Sequence, residues 1–458
     1  MSYRTLRNLV VLLMACLACY ANAAWLRPVR DLAHSLHWIE SSYVEPKSTS
    51  TLRDAAMKGM LESLDPYSAY IPESSFSRFN AVFEQQFAGL GIQIEGPPQR
   101  PNPTIVATLF NSPAFRVGLR PGDVLLKIDE RSLKSDAPHS TSSKPPIENP
   151  QKQVEQQYDM DQISQWLKGP VGSNVSLIVD RSGERLDFHV PREFVSVESV
   201  TGDRRNPDGS WDYRLQSAPQ IAYVHIELFG ERTASELSDI LKDLPENCQG
   251  LVIDLRDNSG GLLEAAIEIC DLFLDDGPIV STIGRQKESD KEVVQATPGV
   301  IVPDQLPLCV LINRESASAS EVVAACLKDR QRATIVGERS YGKGNVQSIV
   351  PVIGGRAAIR LTTAYYYPPS GRRIHRRPKD SPTEEWGVLP DPVGLVESNE
   401  QDDLAVRTRL RLRSDPLRNG LLADHPLAQV EDPDDHQISN DKPLMRAIAL
   451  LRSTHATP

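Results

Sequence analysis

LCVLINRESASASEVVAACL, Leu308–Leu327, changes character twice within twenty residues. Leu308 to Ile312 is an unbroken apolar run of strand length, and Glu321 to Leu327 has the composition of a buried helix. Between them Asn313, Arg314, Glu315 and the alternating serines and alanines from Ser316 to Ser320 are small or polar, so the stretch reads as strand, turn and helix. Such a turn lifts a hydroxyl to the carboxyl edge of a sheet, with backbone N–H groups and the positive end of the helix beside it.

Working outward, strands and helices alternate. Ile221–Phe229 and Leu251–Leu255 read as strands, and Ala234–Leu244 and Leu262–Phe273 as helices. That alternation predicts α/β layers around a largely parallel sheet. The strand ending at Leu255 runs into Arg256-Asp257-Asn258-Ser259-Gly260-Gly261, where paired glycines open the next helix. Downstream, the strand-like Ala333–Gly337 leads to Tyr341-Gly342-Lys343-Gly344-Asn345-Val346-Gln347, and Ala357–Tyr367 is a long strand turned by Pro368-Pro369-Ser370-Gly371.

A serine hydroxyl attacks a carbonyl only when a base takes its proton, and no histidine sits in a turn or Gly-rich setting near these serines. Lys343 does the same work if burial keeps its amine neutral. Gln347, four positions on, falls on the same side in helical or extended spacing, where its amide can orient that amine. Alone, the Ser-Ala repeat reads more readily as a small-residue helix start. Three separated motifs in one order carry more: DLRDNSGG at 254–261, SASASE at 316–321, and GKG with Gln347, the lysine lying 25 residues after Ser318. Together they resemble the carboxyl-terminal processing peptidases, or tail-specific proteases. The resemblance implies an α/β, crotonase-like protease core with the catalytic set on Ser318, Lys343 and Gln347, and with Ser316 and Ser320 as neighbours. An N–H of Gly260 or Gly261, with that of Ala319, is the candidate oxyanion hole.

The rest of the chain fits the same outline. Arg4 and Arg7 precede an apolar run from Leu9 to Ala21, and Ala21-Asn22-Ala23 suits cleavage, so residues 1–23 read as an export signal to the periplasm or another extracytoplasmic space. The run is short for a spanning helix, an uncleaved anchor stays open as an alternative, and Met14 makes a poor lipoprotein context for Cys16. Residues 24–87 read as helical, with Leu26, Val29, Leu32, Leu36 and Ile39 in period and a second helix from Ala55 stopped by Pro66. Residues 88–192 resemble an inserted, β-rich PDZ domain, on Gly89-Leu90-Gly91-Ile92 and the Ser112–Asp129 block. Backbone donors of Gly89, Leu90 and Gly91 would meet a carboxylate, and the edge starting at Ile92 would take a peptide as an added strand. Within it, residues 134–157 are too poor in aromatic and branched side chains to order themselves, so a mobile insertion is expected. The core is assigned to 193–398 and a helical region to 399–458, whose amphipathic Pro443–Leu451 is expected to pack with the amino-terminal helices.

The 61 carboxylates against 50 lysines and arginines argue against nucleic acid as a partner. The exception, Arg372-Arg373 with Arg376-Arg377, reads as a solvated loop face. Cys248, Cys270, Cys309 and Cys326 sit in apolar patterns and read as buried thiols; no His/Cys spacing suggests a metal, and the expected chemistry needs no cofactor. The expectation is an exported serine endopeptidase that takes protein substrates by accessible, unstructured, apolar carboxyl tails. The rivals are a noncatalytic PDZ scaffold on the same fold and a crotonase-type thioester enzyme. Substrate identity, homo-oligomerisation and membrane association through an uncleaved signal are not legible.

Overall fold

The computed structural model of the chain describes residues 27–96, 102–133, 160–206, 209–377, 379–381, 383–413 and 441–455. The expected export signal and the insertion at 134–157 lie outside the described residues. The chain divides into two units, Met1–Ser77 with Gln347–Thr363, and Arg78–Val346 with Ala364–Pro458. Gln347–Thr363 leaves the core for the first unit because a short amino-terminal strand pairs with it.

In that unit, helices α1 (Arg27–Ser42) and α2 (Thr49–Glu62) precede strand β1 (Ala69–Ile71). The Ser48 hydroxyl caps α2 by accepting the Thr51 N–H at 3.1 Å, and the helix stops before Pro66. Asp65 then accepts from the N–H groups of Tyr67 and Ser68 and from the Ser68 hydroxyl. This turn delivers β1 antiparallel to residues 358–360. Of the periodic apolar residues of α1, Val29, Leu32 and Ile39 are exposed and Leu36 is half-buried.

The second unit contains helix α3 (Glu73–Phe83) from its second turn onward and buries its apolar side chains in two places, one cluster in an antiparallel sheet and two on the opposite faces of a parallel sheet. The first belongs to an antiparallel sheet of β3 (Ile92–Glu95), β4 (Thr104–Thr108), β5 (Val124–Ile128), β7 (Asn174–Arg181) and β8 (Glu184–Pro191), in that order, with β6 (Arg131–Ser132) beside β5. Helices α4 (Pro113–Arg116) and α5 (Met160–Leu167) close its core on Leu90, Ile105, Leu125, Ile163 and Leu177. Strand β2 (Gln86–Gly89) enters this module and β9 (Glu193–Ser196) leaves it. The two pair antiparallel, Gly89 opposite Glu193.

Four two-residue strands, β10 (Val200–Thr201), β11 (Arg204–Arg205), β12 (Trp211–Asp212) and β13 (Arg214–Leu215), lead into the second core. There β14 (Ala218–Ile226), β15 (Gly250–Asp254), β18 (Leu308–Ile312) and β19 (Thr334–Gly337) run parallel, as the alternation predicts. Their side chains point alternately to two buried faces, hence the unbroken apolar runs. Val224, Ile253, Val310 and Ile335 meet helices α6 (Thr233–Lys242), α7 (Leu263–Asp271) and α8 (Ala319–Asp329). Tyr223, Val252, Leu311 and Val336 meet Leu444, Ala447, Ile448 and Leu451 of the carboxyl-terminal helix, which follows α9 (Glu400–Arg413) and is α10 (Lys442–His455).

That second contact is a correction. The apolar stripe of α10 covers the open face of the parallel sheet, and burying Ile448 or Leu451 there contributes about 1.5–3 kcal/mol each. A second sheet pairs β16 (Pro278–Gly284) with β17 (Lys291–Gln295) and with Ala364–Tyr367, the end of β21 (Ala357–Tyr367), which also pairs with β20 (Asn345–Val352).

Candidate active site

The turn between β18 and α8 carries three serines that are not equivalent. Ser316 is fully buried; its hydroxyl donates to the Leu255 carbonyl at 2.8 Å and accepts the Asn313 N–H at 2.9 Å. The Ser320 hydroxyl, equally buried, donates to the Asn258 carbonyl at 2.9 Å. Both hold the turn onto the loop after β15. Ser318 between them is half-buried and adopts φ 58°, ψ −116°, a conformation that costs a non-glycine residue about 1–3 kcal/mol. Strain at the first residue before a helix is how a strand-to-helix turn presents a hydroxyl.

Asn258 braces the opposite wall. Its amide donates to the Ile226 carbonyl (2.7 Å), its side-chain oxygen accepts the Gly260 N–H (2.8 Å), and its carbonyl accepts from Ala317. The Gly260 N–H is therefore committed. Among the described residues no acceptor meets the N–H of Gly261 or of Ala319, which narrows the paired-glycine candidate to Gly261. Gly260 serves by its lack of a side chain, because an added Cβ would lie 2.7 Å from Ser318 Cβ and 3.0 Å from the Ala319 nitrogen.

Glu321, in the first turn of α8, draws the serine and lysine motifs together. It is fully buried; Oε2 accepts the N–H of Ser318 and the N–H of Lys343, each at 2.8 Å. Oε1 accepts the Gly342 N–H at 2.7 Å and the Ser340 hydroxyl at 2.5 Å. Burial pushes its carboxyl above the usual range, and these four donors pull it back toward the carboxylate. The main chains at Ser318 and Lys343 are thus no further apart than two hydrogen bonds laid end to end. Tyr366 adds a second tie, its hydroxyl reaching the carbonyls of Ser318 (3.0 Å) and Lys343.

Behind the Asp254–Gly261 loop lies a charge cluster closed to water. Arg256 forks onto Asp254, with Nη2 2.6 Å from Oδ2, and onto Asp441, with Nη1 2.7 Å from Oδ1. Arg409 bonds Asp441 and Asp203, and the Tyr223 hydroxyl donates to Asp254. Burial would raise the Asp254 carboxyl, yet the Arg256 guanidinium holds it well below the carboxylate range. His225, whose Nε2 lies 3.3 Å from the Arg256 carbonyl, is kept neutral by burial and by Arg413, its pKa lowered to about 3.

With this geometry in place, comparison with known proteins is decisive. The profile of peptidase family S41 matches residues 220–392. The carboxy-terminal-processing protease of Bartonella bacilliformis is 35% identical over 362 residues, 78% of this chain and 72% of that protein. The chain belongs to peptidase family S41, the carboxy-terminal-processing serine proteases. The carboxy-terminal processing protease CtpA of Bacillus subtilis is 29% identical over 342 residues, 74% of this chain and 65% of that one. The solved photosystem II D1 C-terminal processing protease is 23% identical, covering 80% of this chain and 86% of its own, at a TM-score of 0.41.

For this S41 peptidase the remaining predicted residues fall as follows. Gln347 lies on β20 and its amide donates to the Tyr67 carbonyl at 2.8 Å, a partner that spacing from Lys343 does not reveal. Gly89 ends β2, the Leu90 side chain is buried in the module core, and Gly91 has φ 78° with no room for a Cβ against Ser112. The carbonyls of Leu90 and Gly91 accept from Ala114 and Leu109, while among the described residues their N–H groups meet no acceptor. Ile92 opens β3, an edge strand. Sequence reasoning missed Glu321, Asn258 and Tyr366. Of these, Glu321 and Asn258 stood inside the SASASE and DLRDNSGG motifs without a role assigned, and Tyr366 left no signal.

Proposed function

We propose that Ser318 is the nucleophile of this peptidase and Lys343 its general base, in a crotonase-like core carrying a PDZ domain. The observation that carries this reading is the Glu321 carboxylate, shared between the N–H groups of Ser318 and Lys343. It fixes a candidate nucleophile and a candidate base on one rigid anchor, and the neighbouring serines are spent on backbone carbonyls. In the mechanism, the neutral amine of Lys343 takes the Ser318 proton as Oγ attacks the scissile carbonyl. The N–H groups of Gly261 and Ala319 receive the developing oxyanion; losing one such donor typically costs about 10²–10³ in rate. Lys343 returns the proton to the departing amine, then deprotonates the water that opens the ester. No step calls for a cofactor.

The same reading gives the inserted sheet the task of holding a substrate's carboxyl tail. The N–H groups around Leu90 and Gly91 meet the terminal carboxylate, and the β3 edge from Ile92 takes the preceding residues as a strand. The relatives named for carboxy-terminal processing support that assignment. Residues 1–23 are proposed to export the chain. The deciding experiment incubates the protein with a denatured substrate: wild type cleaves it and Ser318→Ala does not. Equal cleavage by both would end the assignment.

A further inference from the structure

The arginine-rich loop after β21 is exposed at Arg376 and Arg377, as its sequence suggests, while Arg372 and Arg373 are half-buried. Arg373 pairs with Asp380 at 2.7 Å and Arg372 lies 3.9 Å from Asp329. Arg376 and Arg339 have no carboxylate within ion-pairing distance among the described residues; instead each guanidinium carbon lies 4.5 Å from the centroid of the Trp386 ring. The two cations are thus within twice that distance of each other. The indole itself is pinned by its N–H to the Ser381 carbonyl at 3.2 Å.

This pair abuts the lysine loop. The Arg376 N–H donates to the Gly342 carbonyl at 2.8 Å, and a Cβ added at Gly342 would lie 2.8 Å from Arg376 Cβ and 2.9 Å from the Trp386 ring. A cation on an aromatic face gains about 0.5–1 kcal/mol at exposed sites, but two guanidiniums on one indole repel each other. Burial and Arg376 together lower the pKa of Arg339, with no carboxylate opposing them. In a chain carrying net charge −11, a partly solvated arginine pair with no carboxylate opposite it, set beside the proposed base, attracts an anion.

We propose that Arg339 and Arg376, held on Trp386, form a subsite for an acidic side chain of the substrate near the scissile bond. The inference rests on the reading of Ser318 and Lys343 as the cleaving pair. It assigns the peptidase a preference for chains with Glu or Asp at one position flanking the cut, apart from recognition of the tail.

The test takes one peptide that the full-length protein cleaves, amidated at its carboxyl end so that the terminus cannot supply the anion. A single Glu, or its Gln twin, is walked through four positions on either side of the cleaved bond. At one position the Glu peptide should exceed its twin in kcat/KM by about tenfold, the size of a charge-assisted contact, and 0.5 M salt should shrink the ratio. Arg376→Gln and Arg339→Gln should each bring the ratio toward one, and Arg376→Glu should favour a Lys peptide over the Glu peptide. A ratio near one at every position in the wild type, or a Glu preference that survives the double Gln variant, overturns the subsite. Ser318→Ala separates the two readings: if it still cleaves, the nucleophile assignment falls, while the Glu-to-Gln ratio still decides the subsite.

Discussion

Glu321 has four donors and no cation, and that asymmetry defines what it does. A carboxylate can accept on both oxygens at once, whereas the amide of Glu321→Gln would turn an NH₂ toward donors at one end. We expect that variant to lose about 2–4 kcal/mol of stability by leaving buried donors unmet. Its kcat should fall by at least tenfold even where thermal unfolding shows the protein folded, because Ser318 and Lys343 lose their common anchor. Wild-type kcat in a folded Glu321→Gln protein would remove the anchoring role. The serines separate the same way. Ser318→Ala should abolish cleavage, while Ser316→Ala and Ser320→Ala should each lower stability by about 1–3 kcal/mol and keep measurable turnover. Loss of all turnover in a well-folded Ser316→Ala protein would contradict this division. The serine and lysine blocks stood out in the sequence because their order and spacing match a family's motifs. The part Glu321 plays did not, because three of its four donors come from a loop about twenty residues further along the chain.

At the level of elements, α10 shows where sequence periodicity stops informing. Leu444, Ala447, Ile448 and Leu451 announce an apolar stripe, but a stripe states only that something covers it. Its destination on the parallel sheet depends on Asp441, which sits at the foot of the helix and meets Arg256 from the loop after β15. The alternating strands of the core were readable because strands buried on both faces leave continuous apolar runs. Pairing between β1 and the start of β21 was not, because three residues carry no pattern that names a partner. Asp441→Ala leaves Arg256 on Asp254 alone and Arg409 on Asp203 alone in a closed interior, breaking two buried ion pairs at once, so a loss of about 3–5 kcal/mol is expected by denaturant titration. Activity should fall with it, since Arg256 is only two residues from Asn258. Ile448→Ala, which removes packing but no charge, should cost about 2–5 kcal/mol while sparing kcat below the unfolding range. Equal kcat losses in the two variants would show that the helix acts by packing alone.

For the molecule as a whole, the buried charges set the response to acid. His225 takes up its proton at about pH 3 when folded and near 6.5 when unfolded, so the unfolded chain binds more protons between those values. Its contribution is complete above about pH 6.5 and is lost as pH falls toward 3; Asp254, depressed by Arg256, adds the same sign at lower pH. Urea midpoints measured across this window should decline with acidity, and His225→Gln should flatten the decline above pH 4. An unchanged slope in that variant would place the effect elsewhere. The pairing of β2 with β9 has a further consequence. Because Gly89 faces Glu193 across that ladder, and the sheet module and the parallel-sheet core keep separate apolar interiors, the module is a cassette on a two-stranded stalk. Splicing a tight turn between Gly89 and Glu193 would leave the stalk as an ordinary hairpin, cutting away the proposed grip on a tail while leaving the proposed blade in place.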